Sequence, residues 1–430
     1  MKESIKKRIE AVRRGEVPEG YRIENGYLIP NDWKTVPLNR RFTRSTRKNK
    51  SGCENVLTIS AQMGLVNQRE FYDKDIASED KSGYLLMKNG EFAYNKSYST
   101  GYPYGVIKQL TKYDEGIVSP LYICFAPNAG TNTAFYTQYF EGGRYNREIY
   151  RVAQEGARNH GLLNVSVEDF FEGTLVEPSA YEQQKIAEIL ATCDRVIELK
   201  QQLLEEKRRQ KQWLMQKLLD PNSGVKLPGF GTRAWKEIPL SEVFLYIRNG
   251  FVGTATPYYV DDGIPYIEGT NIQNGQWDLS EVLHISEEFH RQHSNSVLQA
   301  GDVVVVQSGH VGDCTVVTEE IAGSNSHAII IMTPTPRINS HYCACYINSP
   351  MGQGKLVGCI TGNTVKHILA SDMKNYLLPC PEKDEQDELA TLFCAVEKEI
   401  TAIEKEIEAW RQKKKALMQL LLTGLLRVNA

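Results

Sequence analysis

Residues 181–219 read YEQQKIAEILATCDRVIELKQQLLEEKRRQKQWLMQKLL, and this stretch decides the fold. It holds no glycine or proline, and Pro178 and Pro221 bracket it. Strong helix formers fill it, so the pattern predicts one uninterrupted helix. Apolar residues recur at seven-residue steps. Leu190, Ile197, Leu204 and Leu218 form one row, and Ile186, Cys193 and Leu214 the other. That is a coiled-coil seam, interrupted by Lys200, Lys207 and Lys211. At 1.5 Å per residue the helix is a rod of about 58 Å. Its stripe requires a partner.

The sequence supplies one. Residues 384–422 read DEQDELATLFCAVEKEITAIEKEIEAWRQKKKALMQLLL. Glu182-Gln183 aligns with Glu385-Gln386 at an offset of about 203 residues (385 − 182). Pro178 then matches Pro381, and Leu214-Met215-Gln216 matches Leu417-Met418-Gln419. The seam carries over: Phe393, Ile400, Ile407 and Leu421 in one row, Leu389, Val396, Ile403, Trp410 and Leu417 in the other. Trp33-Lys34-Thr35-Val36-Pro37-Leu38 is likewise echoed by Trp235-Lys236-Glu237-Ile238-Pro239-Leu240. The chain is a tandem duplication: globular unit, long helix, globular unit, long helix.

A duplicated unit that opens with W-x-x-[VI]-P-L and closes with Pro, Glu-Gln and a long helix ending in Leu-Leu resembles the specificity subunit of type I restriction–modification systems. The resemblance spans nearly the whole chain. It implies an α+β protein with two mostly-β, mixed target recognition domains and two long helices paired as an antiparallel coiled coil. The corresponding layout is a leader helix and linker at 1–30, recognition domain 1 at 31–177, a central helix at 178–220 and a linker at 221–234. Recognition domain 2 follows at 235–380 and the C-terminal helix at 381–430. The resemblance further implies a non-catalytic chain that binds double-stranded DNA. Two methyltransferase subunits would dock on it, joined by restriction subunits that translocate DNA, in phage defence and DNA modification. Leu190, Ile197, Leu204, Leu218, Phe393, Ile400, Ile407 and Leu421 would form the seam.

Composition bounds the reading from outside. A chain of 430 residues exceeds one core. The formal charge of −3 makes distribution more informative than the sum. Nine scattered cysteines without zinc-ligand spacing read as free thiols in a reducing compartment. The N-terminus MKESIKKRIEAVRRGE lacks an apolar signal core, and apolar runs are too short to span a bilayer, so a cytoplasmic location is expected. Residues 4–15 read as a short basic packing helix stopped by Gly15.

Candidate DNA contacts follow from residue chemistry. Between Trp33 and Cys53 the chain carries Lys34, Arg40, Arg41, Arg44, Arg47, Lys48 and Lys50 and no acid. Phosphate oxygens need such donors, and each one engaged releases counterions. Asn95, Lys96 and Tyr98 lie in a tyrosine-rich stretch suited to base edges and phosphates, or to a hairpin with no ligand. Arg144, Arg147 and the Arg158-Asn159-His160 run are further candidates. In the second unit they are Arg248, Asn249, Thr254, Tyr258, Asn271, Ser308, His310, Asn325, Lys355, Asn363, Thr364 and Lys366. Strands are expected at 56–59, 84–87, 92–96 and 118–125, with turns at Asn89-Gly90, Asn249-Gly250, Asp262-Gly263 and Asn274-Gly275.

Catalytic signatures are missing. There is no Asn/Asp-Pro-Pro-Tyr/Phe run for a flipped base, and no phosphate-binding G-x-x-x-x-G-K-[ST] loop. Asp261, Asp262 and Glu268 lack the neighbouring base of a nuclease cluster. No metal site and no cofactor is expected. Two other classes share these features: a stand-alone or anti-defence DNA-binding protein, and a coiled-coil scaffold that binds protein. The seam lysines have two readings, stems snorkelled at a wet stretch of coil or side chains facing DNA or a partner subunit. The first is preferred, because the matching positions Ile403, Trp410 and Lys414 include only one polar residue.

Overall fold

The computed structural model describes residues 3–72, 80–97, 101–153, 163–230, 234–361 and 366–428. The chain divides into two compact units, residues 1–199 with 407–430, and residues 200–406. Each long helix therefore contributes one half to each unit.

In the first unit α1 spans Glu3–Arg13. The segment 18–30, which reads as a linker or an irregular strand pair, is a hairpin of β1 (Tyr21–Glu24) and β2 (Tyr27–Pro30). Asn25 and Gly26 turn it with positive φ, as a tight hairpin requires. The W-x-x-V-P-L motif forms β3 (Lys34–Pro37), followed by a 3-10 turn at Leu38–Arg40 and β4 (Phe42–Ser45). Three more strands follow: β5 (Phe92–Asn95), β6 (Val106–Gln109) and β7 (Ile123–Pro127). They join β4 in an antiparallel sheet of order β4-β7-β5-β6. Helix α2 (Thr133–Glu141) covers it, and β8 (Thr174–Glu177) returns to pair with β3. The core is aromatic: Phe92 stacks on Phe125 at 5.5 Å, and Phe42 meets both edge-on. Helix α3 (Ala180–Leu218) then begins, and its Ile186 and Leu190 are buried in the same core.

The second unit repeats this plan. Strand β9 (Lys236–Pro239) leads to β10 (Phe244–Asn249). With β11 (Val303–Val306), β12 (Cys314–Val316) and β13 (Ile329–Pro334) it forms a sheet of order β10-β13-β11-β12. Helix α4 (Ser340–Asn348) and β14 (Leu377–Cys380), paired with β9, take the places of α2 and β8. The pairing starts alike, with Phe42 facing Pro127 and Phe244 facing Pro334, but the second shifts register between Phe244 and Tyr246. Helix α5 (Lys383–Leu421) closes the series.

The two long helices are antiparallel partners, and the seam lysines turn out to be their cross-links. Lys200 pairs with Glu406, Lys207 with Glu399 at 2.6 Å, and Lys211 with Glu397. Partner numbers fall as the lysine numbers rise, which only antiparallel helices allow. In the first unit Lys414 meets Asp194 at 2.6 Å. That bond is the repeat image of Lys211–Glu397, since Lys211 corresponds to Lys414 and Asp194 to Glu397. The preferred structural role therefore takes the form of ion pairs rather than solvated stems. Ile400, Ile407, Phe393, Leu190, Leu218 and Leu421 are buried, while Ile197 and Leu204 are half-buried.

Two sequence expectations change. The run 118–125 is not one strand. Residues Glu115–Val118 pair with Leu85–Lys88, and Ser119-Pro120 breaks the chain before β7, because proline has no N–H to give a ladder. Asp262-Gly263 is not a turn between strands. It lies inside the strand Tyr259–Glu268, where the register shifts so that Tyr259 and Ile264 both face Ile285. The extra residues bulge there, and a side chain at Gly263 would lie 2.4 Å from the Ile285 carbonyl oxygen.

After each long helix a basic residue folds back onto the tryptophan that opens a domain. Arg427 lies 5.7 Å from the Trp33 ring in the first unit, and Lys226 lies 4.3 Å from Trp235 in the second. Arg427 also binds Glu182 and Asp32, and Glu182 accepts from the Trp33 indole at 2.7 Å. The Tyr21 hydroxyl donates to Gly424 at 2.6 Å, so the C-terminal segment is built into the first domain.

Candidate nucleic-acid interface

The basic opening of the first domain sorts into two sets. Arg40, Arg44 and Lys50 are exposed, and their side chains bond to no described residue. Arg44 lies on β4, the edge of its sheet. These donors are available for phosphate oxygens. The other set is occupied. Arg41 pairs with Glu177, and Lys48 donates to the Gly83 carbonyl at 2.8 Å. Arg47 forks onto Glu91 at 3.0 and 3.3 Å and reaches the Leu86 carbonyl at 3.2 Å.

Further along, Arg144 and Arg147 flank the Tyr27 ring at 5.6 and 4.8 Å. Arg147 also donates to the Gly26 carbonyl, so the pair clamps the β1-β2 hairpin. Burial raises the Tyr27 hydroxyl above the ordinary phenol range. The Asn95 side chain accepts from the Ser97 amide at 3.0 Å, and Lys96 is half-buried with no side-chain bond to a described residue. Tyr98 and Arg158-Asn159-His160 lie outside the described residues.

The second domain shows the same division. Arg248 donates to the carbonyls of Asn295 and Val297, at 2.8 and 3.2 Å, and to the Thr333 hydroxyl at 2.9 Å. It lies 3.9 Å from Asp302, whose carboxyl burial holds above its usual value. Arg47–Glu91 and Arg248–Asp302 are the same arrangement, repeated: a basic residue at the end of the edge-strand region holding the buried acid that precedes β5 or β11.

Asn271 is buried and donates to Asp278 and Glu281 carbonyls at 3.0 and 2.8 Å. Asn325 is fully buried and donates to the His293 carbonyl at 3.1 Å. Lys355 pairs with Glu237 at 2.6 Å, the Ser308 hydroxyl lies 2.7 Å from His367, and His310 donates to the Ile272 carbonyl at 2.7 Å. Asn249, Thr254, Tyr258 and Lys366 remain exposed, Tyr258 with its ring against Phe289 at 4.6 Å. Asn363 and Thr364 lie outside the described residues.

The sequence reading missed Leu245, Tyr246 and Val252, which are exposed on β10 and just beyond it. Tyr246 matches Arg44 in sequence, though a register shift precedes it on the strand, and the two edge strands present different chemistry. The repeat itself was the signal: aligning Phe42 with Phe244 pairs Arg44 with Tyr246. Among the described residues no cluster of His, Cys, Asp and Glu is arranged to hold a metal ion. No described helix is long and apolar enough to cross a membrane.

Residues 232–409 match the family model described as the type I restriction modification DNA specificity domain. The chain is 24% identical to the type I restriction enzyme EcoBI specificity subunit of Escherichia coli over 61% of each chain. It is 22% identical to the MjaX specificity subunit of Methanocaldococcus jannaschii over 93% of this chain and 95% of that one. The alignment thus spans less than two thirds of the first relative and nearly all of the second. Among solved structures, a type I restriction–modification system chain superposes with a TM-score of 0.57 at 14% identity, covering 93% of this chain and 100% of that one. The type I specificity subunit from M. genitalium gives 0.55 at 14% identity, over 93% of this chain and 97% of that one. Both share the mixed α+β fold. The domain match, the specificity-subunit relatives and the shared fold agree: residues 232–409 form a type I restriction modification DNA specificity domain, and the chain as a whole is similar to type I restriction–modification specificity subunits.

Proposed function

We propose that the chain reads a split DNA target, one half-site per domain, and holds the subunits that act on it. The observation that carries this is the repetition of one four-stranded sheet order with different exposed side chains on each copy. A duplicated scaffold with diverged surfaces suits two readers of unlike sequence. Arg40, Arg44 and Lys50 in the first domain supply phosphate contacts, while Asn249, Thr254, Tyr258 and Lys366 offer base-edge and backbone contacts in the second. The chemistry belongs to partners: two methyltransferase subunits on the pseudo-symmetric helical region, with restriction subunits added to them.

The helices act as the ruler between half-sites. A 39-residue helix limits the gap to about 17 base pairs, at 3.4 Å per pair. Adding one heptad to each helix lengthens the rod by about 10 Å, or about 3 base pairs. The test is a methylome: co-expression with the neighbouring methyltransferase, then mapping of modified adenines. Two defined halves around a fixed gap, widened by the heptad insertion, are expected. One defined half, or a gap that ignores the insertion, refutes the corresponding part. No methylation by an intact complex favours a scaffold or anti-defence protein.

A further inference from the structure

The first unit contains a polar cleft. It has a volume of about 370 Å³ and lies at the N-terminus of α3, lined by Lys34, Arg41, Tyr136, Glu177 and Ser179, with Asp32 at its rim. Tyr136 and Glu177 are almost wholly buried. One carboxylate oxygen of Glu177 pairs with Arg41. The other has no hydrogen bond, and the Lys34 amine is 3.6 Å away. The Arg41 Nε–H is also buried and unpartnered. Arg41 can only donate, so wherever it approaches the Tyr136 oxygen, the phenolic proton still has no acceptor. Buried groups left unmet in this way are costly, which favours a ligand that satisfies them.

The second unit carries less polar residues at the matching positions. Arg41 follows the 3-10 turn after β3, and Val243 follows the matching turn after β9. Glu177 ends β8 opposite Lys34, and Cys380 ends β14 opposite Lys236. Tyr136 is four residues past the Asn132 cap of α2, and Cys343 is four past the Asn339 cap of α4. An apolar trio fills the place that Arg41, Glu177 and Tyr136 occupy in the first domain.

The charges point to the ligand. Glu177 faces Arg41 and Asp32 faces Arg427, so those charges are matched. Lys34 lies 3.6 Å from the same Glu177 carboxylate, so one acid faces two cations, and the positive end of the 39-residue helix adds to that side. The unmet side-chain donors, Tyr136 O–H and Arg41 Nε–H, outnumber a single unmet acceptor, the free Glu177 oxygen, while at the start of α3 the Glu182 and Gln183 amides already bond to Ser179. An anion that also carries one proton satisfies them all.

We propose that this cleft binds inorganic hydrogen phosphate, with Tyr136 and Arg41 donating to its oxygens and Glu177 accepting its proton. Inorganic phosphate keeps a proton at pH 7.5. Sulfate has none, and a phosphomonoester, with a second pKa of about 6, has lost its own.

The test is calorimetric titration of the full chain at pH 7.5 with phosphate, sulfate and AMP. Saturable phosphate binding is expected, at least about tenfold tighter than either competitor. Tyr136→Phe should weaken phosphate about tenfold while the unliganded protein melts as the wild type does. No saturable heat with phosphate overturns the site. Equal affinity for sulfate overturns the role of Glu177, and equal affinity for AMP shows that the natural source is a phosphomonoester and removes the protonated-anion argument. A duplex DNA arm at each phosphate concentration separates this from target reading: retention that phosphate leaves unchanged supports a distinct anion site, and competition between the two assigns the cleft to a DNA phosphate and overturns it.

Discussion

Arg47 looks like a DNA contact in the sequence and like a structural residue in the fold, and one variant separates the two. Arg47→Ala strands Glu91, whose side chain is only 8% exposed. Breaking a buried ion pair by removing one partner costs about 3–5 kcal/mol. Two features reduce that figure. Arg47 is itself 41% exposed, so solvent screens its side of the pair. Glu91 also keeps one donor, the Lys88 amide at 2.9 Å. A cost of about 2 kcal/mol remains, and in a unit of this size it lowers the melting temperature by about 4–8 °C. The assay pairs thermal unfolding with the salt dependence of duplex retention. Arg47→Ala should lower the melting temperature and keep the salt slope. Arg44→Ala should do the reverse, with a stability change under about 0.5 kcal/mol and a slope reduced by about one. A double-mutant cycle with Glu91→Gln should return a coupling of the same sign as the loss. An Arg47→Ala protein that melts normally and loses one phosphate contact refutes the reasoning.

Other consequences are equally direct. Arg427→Met leaves Glu182 buried with only the Trp33 indole, and should cost about 3 kcal/mol, read as faster proteolysis of the C-terminal segment. The Arg427 hydrogen bond holds the Asp32 carboxyl below its usual value. A depressed acid stabilises fully above its unfolded pKa of about 3.9 and loses that contribution as pH falls further. Asp32→Asn should therefore flatten the loss of stability between about pH 5 and pH 3, and parallel curves would contradict the latch. Gly424 sits at φ +72°, and a side chain there would lie 2.5 Å from Pro30. Gly424→Ala should destabilise by about 1–3 kcal/mol, checked by chemical unfolding.

The long helices and the duplication were legible because their information is local or periodic. Heptads, bracketing prolines and a repeated W-x-x-[VI]-P-L motif need no knowledge of the fold. The candidate interface was legible only in part. Arg40, Arg44 and Lys50 remain available, but Arg47 and Arg248 met acids 44 and 54 positions further on (91 − 47 and 302 − 248), which a basic run does not announce. Asn271 and Asn325 carry the chemistry of base readers, and their amides instead close buried loops. Polar residue type reports what a side chain can bind, and long-range pairing decides whether it is free to do so. The Arg41–Glu177–Tyr136 cleft was invisible for the same reason, its members being scattered over more than a hundred residues.

The cross-links between α3 and α5 also govern what happens before the chain is complete. On a ribosome, α3 is finished long before α5 exists, and neighbouring nascent chains expose the same helix. By the repeat, two copies of α3 laid antiparallel would keep Lys211 beside Asp194 but place Lys200 beside Leu203 and Lys207 beside Val196, where α5 offers Glu406 and Glu399. Like therefore pairs less well with like, two of the three cross-links being lost, and the stripe favours its own second half once that is translated. The acids of α5 thus give the unfinished helix a reason to wait, and they keep polysome neighbours from becoming permanent companions.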